Sequence, residues 1–166
     1  MRLIYLFAFI IPFISCKTKI VIHVVKYYDN GAKESEFDMV KGVNEGLAIL
    51  YYTNGQIKQK GYWHTGKQEG IWNFYAENGS LSAKVNFRNG LQHGEKFFYF
   101  LNGKTSQMST FENGKPVGLV QLFYENGNLK EEYYFKNNKV DSLRMLHDTN
   151  GKQISKQRYL HGIEVK

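Results

Sequence analysis

The chain has 166 residues, with 16 Gly, 12 Tyr and 12 Phe but only 2 Pro, and a formal charge of +7 at pH 7. That length suits one domain, and a mixture of turn-forming glycine with strand-forming aromatics favours short β-hairpins over helix. The lysines are scattered along the whole sequence, so the charge reads as a solvated surface and argues against a nucleic-acid partner.

At the N-terminus, Leu3 to Ile14 is an apolar run of 12 residues behind the single charge of Arg2. A membrane-crossing helix needs about 20 such residues, so the run is expected to be the core of an export signal. It ends Phe13-Ile14-Ser15-Cys16, which resembles the lipobox of bacterial lipoproteins, although leucine is commoner than Phe at the first of these positions. The alternatives are an ordinary secretory signal with an incidental cysteine and a buried hydrophobic N-terminus. Cys16 is the only cysteine, so no internal disulfide can form, and it is the expected lipid-attachment residue. Several acyl chains there would anchor the protein stably, placing it at the bacterial cell envelope. The chain therefore divides into a signal over residues 1–15, a short tether over 16–19 and a repeat array over 20–166.

The array announces itself through Asn-Gly pairs at 30–31, 54–55, 78–79, 102–103, 126–127 and 150–151, each interval being 24 residues. A second turn position recurs at Gly42, Gly66, Gly90, Gly114 and Gly162, with Asn138 in the fifth copy, and a third series runs Gly46, Gly70, Gly94 and Gly118 before Ser142 interrupts it. Asn-Gly between alternating segments points to a two-residue type I′ hairpin turn, with a wider glycine-bearing turn leading into the next copy. The expectation is an all-β, elongated antiparallel meander of six hairpin repeats in a single-layer twisted sheet, roughly 55 Å long at about 4.8 Å per strand.

In chain order, residues 20–28 should open the sheet, and their outer edge should be free to pair with a partner. With Asn54-Gly55 as the turn, Tyr52 should face Ile57, Leu50 face Gln59 and Ala48 face Gly61. One face then collects Leu50, Phe74, Phe98, Leu122 and Leu146 with Trp63, Phe87, Phe111, Phe135 and Tyr159. Lys58, Lys60, Lys84, Glu132 and Lys156 should point to the other. That second face also holds Tyr27, Tyr51, Tyr75, Tyr99 and Phe123. This strip is either cross-strand packing over lysine stems or a binding surface for a protein, glycan or lipid headgroup. The last copy, with His147, Asp148, Gln153 and Gln157 at otherwise apolar positions, reads as a polar cap.

The stretch Gly66-Lys67-Gln68-Glu69-Gly70-Ile71-Trp72-Asn73-Phe74-Tyr75-Ala76-Glu77-Asn78-Gly79 resembles the core of the MORN-repeat-variant family, sometimes called antitoxin-like. Asn113 to Gly118 and Phe123 to Gly127 resemble it more weakly, and the resemblance extends over about residues 27 to 162. It implies a β-meander scaffold used for protein contacts or, in classical relatives, proposed membrane association.

No catalytic or cofactor motif is present: the five histidines lie at different repeat positions, and no phosphate loop or nucleophile elbow occurs. Glu69, Glu77, Glu95, Glu112 and Glu125 read as solvating charges near turns. The expected function is a non-catalytic, lipid-anchored binding or scaffolding module for a protein partner, requiring no cofactor and no metal. The alternatives are an antitoxin-like protein that neutralises a cognate toxin, and a glycan- or phospholipid-binding envelope protein.

Overall fold

The computed structural model describes the backbone of residues 5–8 and the whole of residues 19–165. Among the described residues fourteen strands follow one another: β1 Tyr5–Ala8, β2 Val21–Tyr27, β3 Lys33–Val40, β4 Val43–Tyr51, β5 Ile57–His64, β6 Lys67–Tyr75, β7 Leu81–Arg88, β8 Leu91–Tyr99, β9 Thr105–Glu112, β10 Lys115–Phe123, β11 Leu129–Lys136, β12 Lys139–His147, β13 Gln153–Leu160 and β14 Ile163–Val165. They form a single sheet in which each strand pairs antiparallel with its neighbours in sequence, and no helix occurs among the described residues. Every hairpin is local, so chain order and spatial order coincide.

The two turn series exchange the roles expected of them. At Asn54-Gly55 only the glycine has positive φ, at 84°. The amide of Gly55 bonds to Tyr52 O and the amide of Tyr52 to Gln56 O, which closes a three-residue loop on a left-handed glycine. The same pair of bonds recurs around Asn30-Gly31, Asn78-Gly79, Asn102-Gly103, Asn126-Gly127 and Asn150-Gly151. The side chain explains the preference: Asn54 Oδ1 accepts from the amide of Gln56, holding the asparagine in a right-handed turn instead of a left-handed one. The two-residue turns with both φ positive are the others, at Lys41-Gly42, Thr65-Gly66, Asn89-Gly90, Asn113-Gly114, Asn137-Asn138 and His161-Gly162.

Beside each Asn-Gly loop a bulge restores the register. Tyr51 pairs with Ile57 and Leu50 with Gln59, leaving Lys58 as the extra residue; the expected partnership of Tyr52 with Ile57 is therefore displaced by one. The pairs Leu50–Gln59 and Ala48–Gly61 stand as the sequence predicts. The third glycine series makes no turn: Gly46, Gly70, Gly94 and Gly118 sit inside strands at a second irregularity, with φ between 67° and 88°, and Ser142 adopts the same conformation at 71°.

The core is a row running across the strands. From alternate strands come Val24, Ala48, Trp72, Lys96, Val120 and Arg144, and from the strands between them Phe37, Gly61, Val85, Ser109, Tyr133 and Gln157. Trp72 is completely buried, with Trp63 and Phe87 set edge-on at 5.6 and 6.4 Å. Its indole occupies the space a side chain at Gly61 would need, since a Cβ there would lie 2.3 Å from the ring. The expected apolar columns, Leu50 to Leu146 and Trp63 to Tyr159, flank this row on the same face and are half-buried. The outer edge of β2 also departs from expectation. In the full-length chain it pairs with β1, Tyr5 opposite Val25 and Ala8 opposite Ile22, so the edge predicted to be free is covered by a segment that removal of the expected signal over residues 1–15 would take away.

Candidate functional site

The strip residues occupy the corresponding ends of alternate strands, β2, β4, β6, β8 and β10, immediately before the Asn-Gly loops, and all five are half-buried. The rings of Tyr51, Tyr75 and Tyr99 are engaged within the chain. Lys33 Nζ lies 5.4 Å from the centre of the Tyr51 ring and Lys60 Nζ 5.7 Å from that of Tyr75, while Tyr99 stacks on Phe97 at 6.4 Å. The Tyr51 hydroxyl donates to Glu36, which also accepts from Lys33 Nζ at 2.7 Å. Burial first, then the hydrogen bond to Glu36 and its charge, push the Tyr51 phenol up to about 12. For Glu36, burial alone would raise the carboxyl. The hydrogen bonds from Lys33 and Tyr51 overcome that and hold it below its ordinary value.

Between the strip and the two-residue turns the same face exposes apolar side chains. Leu47 and Tyr62 are cross-strand partners, as are Leu119 and Tyr134. Tyr62 and Ile71 are each 58% exposed and Tyr134 50%. An open depression of about 240 Å³ lies among Leu119, Glu132, Tyr134, Leu143 and Met145. These exposed residues are absent from the strip as read from the sequence, because neither repeat position keeps one character: one runs His23, Leu47, Ile71, Glu95, Leu119, Leu143 and the other Asp38, Tyr62, Asn86, Thr110, Tyr134, Arg158.

The carboxylates near turns have specific work. Glu45 accepts from the amide of Thr65 at 2.7 Å, and Glu69 from that of Asn89 at 2.8 Å, so an acid in one hairpin fastens the turn of the next. That bond, the Lys19 ammonium and the nearby His64 lower the Glu45 carboxyl despite some desolvation. The reading of Glu69 as a merely solvating charge is thereby corrected. Among the described residues no group of three or more His, Cys, Asp or Glu side chains is placed to hold a metal ion. Cys16, the expected lipid-attachment residue, lies outside the described residues, as does most of the expected export signal.

Four segments, 44–65, 68–89, 92–113 and 116–137, match the MORN repeat variant, starting every 24 residues and together covering just over half of the chain. The chain belongs to the MORN-repeat-variant family. Each family segment opens at the start of a strand that follows a two-residue turn and closes on the next such turn, so the family unit is one hairpin of this sheet. A comparison with curated proteins returns no match. Among solved structures, a mutant S. aureus TarM crystallised with fondaparinux, alpha-GlcNAc-glycerol and UDP is 15% identical, with a TM-score of 0.35 over 72% of this chain and 21% of that one. A second TarM structure is 12% identical, with a TM-score of 0.35 over 81% of this chain and 20% of that one. The MORN-repeat-variant chain thus spans about a fifth of the TarM chains it matches.

Proposed function

We propose that this MORN-repeat-variant protein is a non-catalytic binding or scaffolding module for a protein partner, carried to the bacterial cell envelope by residues 1–15 and anchored there through lipidated Cys16. The repeat array in this reading comprises six 24-residue hairpins, the outer two joining the four that match the family. The observation that supports partner binding is the apolar surface beside the tyrosine strip, where Leu47, Tyr62, Ile71 and Tyr134 are exposed. Aromatic and aliphatic side chains at such a surface gain most from a protein interface. The strip of Tyr27, Tyr51, Tyr75, Tyr99 and Phe123 forms the supporting floor, because the rings of Tyr51, Tyr75 and Tyr99 are already packed against lysines or a neighbouring ring.

A photo-crosslinking amino acid at position 62 or 134, in the lipidated protein within intact envelopes, tests this reading. Cross-links to one protein are expected from both positions, and none from an exposed loop position such as 101. Cross-links to lipid or glycan alone would replace the protein partner with the corresponding ligand class. Soluble cytoplasmic protein in fractionation would overturn the envelope assignment, and acyl labelling unchanged by Cys16→Ala would overturn the anchor.

A further inference from the structure

Two cations interrupt the core row, and they are treated differently. Arg144 Nε donates to Glu131 at 2.8 Å, and Gln157 lies beside its guanidinium at 3.5 Å. Lys96 stands 48 residues earlier, at the same repeat position, and the residue corresponding to Glu131 there is Ala83, a buried methyl. Among the described residues no ion pair reaches Lys96. Its ammonium instead lies 4.8 Å from the centre of the Phe98 ring and 5.3 Å from that of Phe111. Its cross-strand partners are Val85 on one side and Ser109 on the other. Ser109 is 3% exposed, and its hydroxyl has no hydrogen-bond partner.

A desolvated ammonium and an unsatisfied hydroxyl are both costly where they stand, and both are satisfied by the same ligand, an oxygen anion. We propose that Lys96 and Ser109 form a carboxylate-receiving position on the core-row face of the sheet, occupied by an acidic side chain of an extended protein segment with apolar neighbours. This proposal rests on the binding-module reading and adds a second contact surface, opposite the tyrosine strip. The partner's carboxylate does for Lys96 what Glu131 does for Arg144. The apolar neighbours follow from the surroundings, since Phe98 and Phe111 border the ammonium and Val85 is the cross-strand partner of Lys96. Lowering of the Lys96 ammonium by burial is in keeping with a charge that awaits its counter-ion.

The probe is the blocked peptide acetyl-Leu-Glu-Leu-amide, compared with acetyl-Leu-Gln-Leu-amide, titrated into the full array and followed through the backbone amide resonances of Lys96 and Ser109. Saturable shifts are expected with the Glu peptide and binding about tenfold weaker with the Gln peptide, the factor for one charge-assisted contact. Lys96→Met should abolish the difference between the two peptides. Ala83→Glu, which supplies the missing carboxylate within the chain, should block the Glu peptide; should that variant fail to fold, Lys96→Met alone decides. Equal binding of both peptides, or an unchanged Glu-to-Gln ratio in Lys96→Met, overturns the proposal, as does the absence of saturable shifts. The cross-links from positions 62 and 134 are read independently. If they persist while the peptide test fails, this site alone is withdrawn; if they are absent, the binding-module reading itself fails.

Discussion

The hydroxyl of Tyr52 donates to the backbone oxygen of Tyr75, 2.8 Å away and 23 residues later. Tyr28 reaches Tyr51 O and Tyr124 reaches His147 O in the same way, at 2.7 and 2.9 Å, whereas the corresponding residues Ala76 and Phe100 carry no hydroxyl. These bonds tie successive hairpins together at the loop end, in an array where stability is a sum of neighbour contacts. Tyr52→Phe should cost about 1 kcal/mol, the net worth of one partly buried hydrogen bond. The triple change at Tyr28, Tyr52 and Tyr124 should be close to additive, because the three sites share no partner. Urea denaturation of the single and triple variants checks both statements, and a triple variant as stable as the parent would remove the ladder from the account.

Gly61 and Trp72 are matched in volume. An alanine at 61 places its Cβ 2.3 Å from the indole, and neither strand can withdraw without losing its pairing. Gly61→Ala should therefore cost roughly 3 kcal/mol, the upper part of the range for overpacking. In a Trp72→Leu background the same change should cost less than half as much, since the clashing ring is gone. Thermal melts of the four proteins in this cycle give the coupling directly, and equal costs in both backgrounds would place the damage in the backbone instead.

Ser142 holds the left-handed conformation that four glycines hold in earlier hairpins. A side chain in that region costs roughly 1 to 2 kcal/mol, so Ser142→Gly should stabilise the protein by about 1 kcal/mol once the greater flexibility of the unfolded glycine is subtracted. The reciprocal Gly118→Ser should destabilise by a similar amount, and calorimetry of both variants tests the sign.

Much of this architecture is legible in the sequence because turns obey local rules. The 24-residue spacing, the strand count per interval and the pairs Leu50–Gln59 and Ala48–Gly61 all follow from glycine and asparagine positions. The turn types do not. Lys41 and Thr65 take positive φ in two-residue turns without any intrinsic preference for it, because the twist of the flanking strands selects that turn. The core row is hidden for a different reason. Its even-strand members run Val, Ala, Trp, Lys, Val, Arg, a series without common character, whereas the flanking Leu50 to Leu146 column is uniformly apolar and draws attention from it. The importance of Lys96 depends on its comparison with Arg144 and on the missing acid at Ala83, and both require the register.

Glu36 links pH to stability. Its carboxyl is held below the ordinary 4.5 in the folded chain, so the unfolded chain binds the proton first as pH falls. The stabilisation is fully present above the unfolded value and is lost as pH drops through the folded one. Because the group is partly solvated, the effect should be about 0.5 kcal/mol. Glu36→Gln should lower stability at pH 7 by that amount and flatten the dependence below about pH 4.5; identical pH profiles for parent and variant would show that the Lys33 and Tyr51 bonds carry no net energy.

Lys96 has the opposite linkage. Burial disfavours its charged form, so the folded chain holds the proton less tightly than the unfolded one. Below the folded value both states are charged and the folded state bears the desolvation cost. As pH rises through that value the cost is relieved and stability increases. Lys96→Met, of similar length and without charge, removes the cost at neutral pH and should stabilise by up to about 1 kcal/mol, the residual solvent contact of the ammonium limiting the gain. The alkaline rise in stability should shrink with it. A higher Tm accompanied by loss of discrimination between the Glu and Gln peptides would separate a binding lysine from a structural one. A purely structural Lys96, held by the rings of Phe98 and Phe111, would instead lower Tm when replaced, because the attraction between ammonium and ring faces would be lost with nothing gained.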